Sequence, residues 1–144
     1  MGTEDNRRTM TEVYEAIARG DGSRFVERLA DDAVLVLTGD NSWSGIHRGK
    51  AAILRFFGVV ARLAPGTRRT VPFAVLADGD RVAIEARGEM TTRAGAPYRN
   101  HYCLVFRLRD GKIVEMKEYL DSAYCERVLG RYPDDAPKAE PLPV

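Results

Sequence analysis

Cysteine, histidine and tryptophan are all scarce in this 144-residue chain, at two, two and one. The two cysteines, Cys103 and Cys125, stand in a chain that starts MGTEDNRRTM with no hydrophobic leader region. That pattern points to a reduced, cytoplasmic protein with free thiols, not a disulfide-stapled secreted one. The lone histidines, His47 and His101, supply no metal-ligand spacing, so no structural or catalytic metal is expected. Gly45-x-x-x-Gly49 lacks the Lys-Ser/Thr of a phosphate-cradling loop, and no Gly-x-Ser-x-Gly nucleophile turn occurs. No cofactor is indicated. An excess of one charge is missing too: 22 Lys and Arg face 21 Asp and Glu, and the arginines are scattered. Binding to nucleic acid or to an anionic membrane therefore has no electrostatic basis. No apolar run approaches the roughly 18 residues of a membrane span.

What remains is a chain that is 44% hydrophobic and long enough for one well-buried domain. The domain is read as residues 1–130, followed by a proline-rich tail, 131–144, that should be extended and poorly ordered unless docked. Met10, Val13, Tyr14 and Ile17 fall at helical spacing, ended by Gly20. Asp21 or Ser23 caps a short second helix that buries Phe25, Val26 and Leu29. Ala33 to Thr38 reads as a buried strand, and Gly39 to Gly49 as a loop. Lys50 to Leu63 is a third helix, with Ile53, Phe56, Phe57 and Val60 on one side. Thr67 to Ala77 is a strand that Pro72 places at an edge or bulge. Arg81 to Arg93 is another, and Asp121 or Ser122 caps a last helix through Leu129.

Between them lies Tyr98 to Asp121, two runs of β-branched and aromatic residues around Arg109-Asp110-Gly111. A three-residue hairpin loop pairs Leu104 with Met116, Tyr102 with Glu118 and Asn100 with Leu120, all on one face. His101, Cys103, Val105, Lys117, Tyr119 and Asp121 take the other. A two-residue loop on Asp110-Gly111 would shift the register by one and mix the two sets. Helices first and strands afterwards give an α+β fold. The expected form is a cone-shaped barrel: a curved antiparallel sheet with three helices of the N-terminal half closing an internal pocket.

The order of elements, together with YEAIARGD (Tyr14 to Asp21), LADDAV (Leu29 to Val34), WSGIHRGKAAILRFF (Trp43 to Phe57), DGDRVAIEARG (Asp78 to Gly88) and the hairpin ending GKIVEMKEYLD, resembles the nuclear transport factor 2-like superfamily. Its SnoaL-like, ketosteroid-isomerase-related branch is the nearest in pattern, over about Val13 to Leu129. The resemblance implies the cone and leaves the activity open, because such folds host isomerases, cyclases, hydrolases and non-enzymes. The ketosteroid isomerase tyrosine and its two acids fall on Val13, Leu37 and Leu104, which argues against that residue set. Similarity to limonene epoxide hydrolase implies an acid–arginine–acid arrangement of Glu118 with Glu85 and Arg87. Aligned without a gap, that strand would instead give Ala83 and Arg81. The acid–histidine pairing of SnoaL-like cyclases would need His101 beside Glu118 or Asp121, and parity separates His101 from Glu118.

The candidate catalytic residues are Glu118, Tyr102, Asn100 and Arg87. Glu118 acts as a proton carrier if burial lifts its pKa, and otherwise it is half of an ion pair. Arg87 and Glu85 share a face, which either lines the cone or carries surface charge. Tyr14, Trp43, Phe56, Phe57, Leu104, Met116 and Leu120 are the candidate substrate contacts, with Val13 an alternative to Tyr14. Tyr14 is an oxyanion donor or plain core. Trp43 is a stacking platform or a plug under its loop. His47 is expected to be exposed, and Asp121 to serve as a helix cap. The sum is a cofactor-free isomerase or cyclase for a hydrophobic, uncharged or weakly polar small molecule. Epoxide hydrolysis or non-catalytic binding are the alternatives. An apolar outer sheet face carrying Cys103, Val105 and Tyr119 implies a homodimer.

Overall fold

The structure, a computed structural model, describes residues 2–143. Helix α1 (Thr3–Ala18) buries Met10, Val13 and Tyr14, as the spacing predicts. Its first turn is braced by the Asp5 carboxylate, which accepts the Gly2 N–H at 3.2 Å. Helix α2 (Ser23–Arg28) follows, then strands β1 (Leu29–Leu37) and β2 (Gly45–Arg48). Helix α3 (Lys50–Leu63) buries Ile53, Phe56 and Val59. Strands β3 (Arg69–Asp78), β4 (Arg81–Thr91), β5 (Pro97–Tyr98), β6 (His101–Arg109) and β7 (Lys112–Leu120) come next, and α4 (Ser122–Leu129) closes the order.

The strands form one curved, unclosed sheet in the order β2-β1-β7-β6-β4-β3, with β5 paired to β4. One pair departs from the expected antiparallel pattern: β1 and β7 run parallel. Pro72 is tolerated because β3 is an edge strand and its register shifts between Pro72 and Ala74. The expected loop Gly39–Gly49 contains β2, whose Gly45, Ile46, His47 and Arg48 pair with β1. Turn-like composition hid a strand that exists because β1 offers it a partner. His47 is buried accordingly, with its ring 4.9 Å from that of Phe56, and burial pushes its pKa down.

The hairpin corrects the three-residue loop. Asp110 and Gly111 both have positive φ, 51° and 75°, and Arg109 pairs with Lys112. Those values belong to a two-residue turn, for which Asp-Gly is a favoured pair. By itself this would send Glu118 to the face opposite Leu104. A bulge prevents that: Leu108 pairs with Ile113 but Arg107 with Glu115, leaving Val114 unpaired. Parity is restored, so beyond the bulge the expected faces hold while each partner moves by two. Leu104 lies opposite Glu118, Tyr102 opposite Leu120, and Phe106 opposite Met116.

The tail is docked. Ile46 and Glu140 exchange backbone hydrogen bonds of 2.8 and 2.9 Å, and Arg48 and Arg62 bond Glu140 and Asp135. Tyr132 packs its ring 5.0 Å from that of Trp43. Gly45 permits the crossing, since a Cβ there would sit 2.5 Å from Ala139 Cβ and 2.7 Å from the Glu140 carbonyl.

Candidate functional site

The inner face of the sheet and helices α1, α2, α3 and α4 enclose a cavity of about 530 Å³. Its floor is Leu37 of β1, Met90 of β4, Leu104 of β6, and Met116, Glu118 and Leu120 of β7. Tyr14 and Ile17 face it from α1, Leu54, Phe56, Phe57 and Val60 from α3, and Ser122, Cys125 and Leu129 from α4. All seven candidate substrate contacts line it, and Val13 does not.

Among the described residues Glu118 is the one acid in that wall. Its backbone is clamped by Thr38, whose N–H and Oγ1 both donate to the Glu118 carbonyl, at 3.2 and 2.7 Å. Its side chain is half-buried, with its remaining surface toward the cavity. Among the described residues the carboxyl has no ion-pair or hydrogen-bond partner, and burial pushes its pKa up to about 7. The group therefore exchanges its proton near neutrality, where a general base or acid works best.

Two phenols surround it. Tyr14 is buried on α1, its ring 5.6 Å from that of Phe106, and its pKa is driven well above the usual tyrosine value. Burial is the larger cause, and the nearby Glu118 charge adds to it. Tyr102 is raised by burial and then by Glu118 in the same way. Both stay protonated and can donate. The Tyr102 ring lies over Gly88, where a Cβ would come within 3.0 Å of it. Cys125, buried beside Tyr98, is held up at about 11 by desolvation, so its thiol is not a nucleophile at neutral pH.

Two of the four candidate catalytic residues lie elsewhere. Asn100 is buried but committed to structure: its Nδ2 donates to Tyr98 Oη and the Asp121 carbonyl at 2.9 and 3.0 Å. Its Oδ1 accepts the Asp121 N–H at 3.1 Å, so no donor is left to orient a substrate. Arg87 and Glu85 are exposed on the outer face, alternating with buried Ile84 and Ala86, and Arg87 Nη2 lies 2.9 Å from His101 Nε2. The epoxide-hydrolase arrangement of Glu85, Arg87 and Glu118 is thus split across the sheet.

Trp43 is mainly a plug. Its Nε1 donates to the Gly130 carbonyl at 2.8 Å, and its ring meets Phe56 and Tyr132 edge-on. Asp121 caps α4, accepting the Tyr124 N–H at 3.0 Å. Sequence reasoning missed Met90, Arg68, Ser122 and Cys125 in the wall. Ser122, Cys125 and Leu129 share one face of α4, so helical periodicity could have found them. Arg68, in the turn before β3, carries no such signal. No group of three or more His, Cys, Asp or Glu suited to a metal occurs among the described residues, and none of their helices is long and apolar enough to cross a membrane.

A curved sheet capped by helices around one apolar cavity defines the nuclear transport factor 2-like class. The SnoaL-like domain model matches residues 10–116, and the chain belongs to that family. Bal32a, from a soil-derived mobile gene cassette, superposes with a TM-score of 0.77 at 26% identity, covering 88% of this chain and 98% of that one. IdmH of Streptomyces antibioticus, described as a candidate polyketide cyclase, gives 0.67 at 24% identity over 87% and 98%, a likeness of fold alone. The uncharacterized protein Rv0034 of Mycobacterium tuberculosis is 26% identical over 115 residues, 79% of this chain and 88% of its own length.

Proposed function

We propose that this protein is a cofactor-free acid–base enzyme, an isomerase or polyketide-type cyclase, acting on a hydrophobic small molecule bound in the cavity. The observation that carries the reading is Glu118: an unpaired carboxyl raised to about 7, facing apolar walls with Tyr14 and Tyr102 beside it. A carboxyl with those neighbours suits abstraction of a proton from carbon next to a carbonyl. Glu118 takes the proton as carboxylate, and a phenol of Tyr14 or Tyr102 donates to the carbonyl oxygen as it gains negative charge. In an isomerase the Glu118 carboxylic acid returns the proton to another carbon. In a cyclase the carbanion attacks a second carbonyl within the same molecule, forming a carbon–carbon bond, and the resulting alkoxide takes the proton back. Either way the enzyme ends as it began.

The test begins with a thermal-shift panel of steroid enones and polyketide fragments, because a ligand stabilises the state it binds. A stabilising compound is then followed for deuterium uptake at its acidic carbons. The wild type should exchange, and Glu118→Gln should lose about 100-fold or more of the rate, the usual scale of acid–base catalysis. Equal exchange by both proteins would sink the catalytic reading and leave a binding protein.

A further inference from the structure

Among the described residues of the cavity wall, Glu118 is the one acid and Arg68 the one base. Arg68 sits between α3 and β3, half-buried, with Nη1 donating to the carbonyls of Ala64 and Gly66 at 3.2 and 3.0 Å. Those bonds fix the guanidinium plane and leave its Nε–Nη2 edge without a partner among the described residues. No carboxylate pairs with it there either. The two charges do not meet. Burial alone raises Glu118, whereas a guanidinium beside it would lower it.

Register explains the separation. Glu118 lies on the row Leu37–Glu118–Leu104–Ile84. Arg68 precedes Arg69, which pairs with Glu89, five residues beyond Ile84 on β4. Glu118 is therefore in the body of the cavity, and Arg68 is at its rim. The rim is narrow there, because Thr67 touches the α1–α2 turn closely enough that a Cβ on Gly20 would sit 2.9 Å from its Cγ2. An apolar chamber with a fixed, unneutralised guanidinium at one end favours a particular shape of ligand.

We propose that the cavity takes an amphiphilic acid whose single anionic group is held by the Nε–Nη2 edge of Arg68. The apolar body lies along Phe57, Met90 and Leu104, in the direction of Glu118. A carboxylate matches the two parallel donors of that edge. A phosphate dianion does not, since no second cation lines the wall. The proposal goes beyond the acid–base reading and shares with it only the cavity as the small-molecule site.

Two fluorescent probes differing by one group test it: anilinonaphthalene sulfonate, an apolar anion, and phenylnaphthylamine, its neutral counterpart. Phenylnaphthylamine should displace the sulfonate from the wild type, and added salt should weaken only the sulfonate. Arg68→Gln should weaken the sulfonate about tenfold, the scale of one charge-assisted contact, and leave the neutral probe within about twofold. Arg68→Lys should recover part of the loss. Equal effects on both probes would mark Arg68 as a structural cap on Ala64 and overturn the proposal. Sulfonate binding indifferent to Arg68, or not displaced by the neutral probe, would overturn it while leaving the cavity reading standing. Failure of both probes to bind the wild type would bring down both together.

Discussion

A carboxyl raised from its ordinary 4.5 to about 7 makes the folded state prefer the neutral form, and that preference has a measurable sign. Between those two values the folded chain binds more proton than the unfolded one, so stability falls as pH rises and levels off above about 7. Glu118→Gln should flatten this slope and be more stable than the wild type at pH 8. The gain is at most about 3 kcal/mol, less because Glu118 is only half-buried. Urea unfolding from pH 5 to 8 measures it, and parallel curves for the two proteins would contradict the burial argument. Asn100 predicts the reverse behaviour. Removing its three hydrogen bonds in Asn100→Ala should cost about 2–4 kcal/mol at every pH. A variant as stable as the wild type would show that the Tyr98–Asn100–Asp121 junction is not a structural pin. The sequence made Glu118 visible as a carboxylate on an apolar strand face. It could not show that the Asn100 amide was already spent, because its partners, Tyr98 and Asp121, come from opposite ends of the hairpin.

At the level of elements, helical periodicity was enough for α3, and periodicity with the Asp121 cap for α4, since these signals lie within a few turns of chain. Strand β2 was hidden, since Gly-Ile-His-Arg becomes a strand only when β1 lies beside it. The Val114 bulge was hidden for the same reason: a bulge is a property of two strands and has no residue signature here. The tail belongs to this scale too. Gly45→Ala would force a methyl group into Ala139 and the Glu140 carbonyl, and should unhook the tail around Glu140 from β2. Trypsin would then cut at exposed Lys138 at least about tenfold faster, because proteolysis follows the population of the opened segment. An unchanged cleavage rate would mean that the ion pairs and Tyr132 hold the tail without the backbone bridge.

For the molecule as a whole, the outer sheet face leaves large apolar groups in water: Phe73 is 65% exposed, Leu76 56% and Tyr119 46%. Two-fold pairing of these faces is the expected assembly. Light scattering should report a dimer at micromolar concentration, and Leu76→Lys should shift it to monomer. A wild-type monomer would refute the pairing. The position of β7 has a consequence of another kind. It fills the gap between β1 and β6, and Glu118 is fastened to Thr38, a residue 80 positions earlier. During synthesis, β1 leaves the ribosome long before its central neighbour exists, and such distant pairings form late and leave apolar surface exposed meanwhile. The future cavity wall must wait, open to misassociation, until Leu120 has emerged. The strand that ends the wait also carries the acid, so a nascent chain stopped short of β7 has neither a complete sheet nor Glu118.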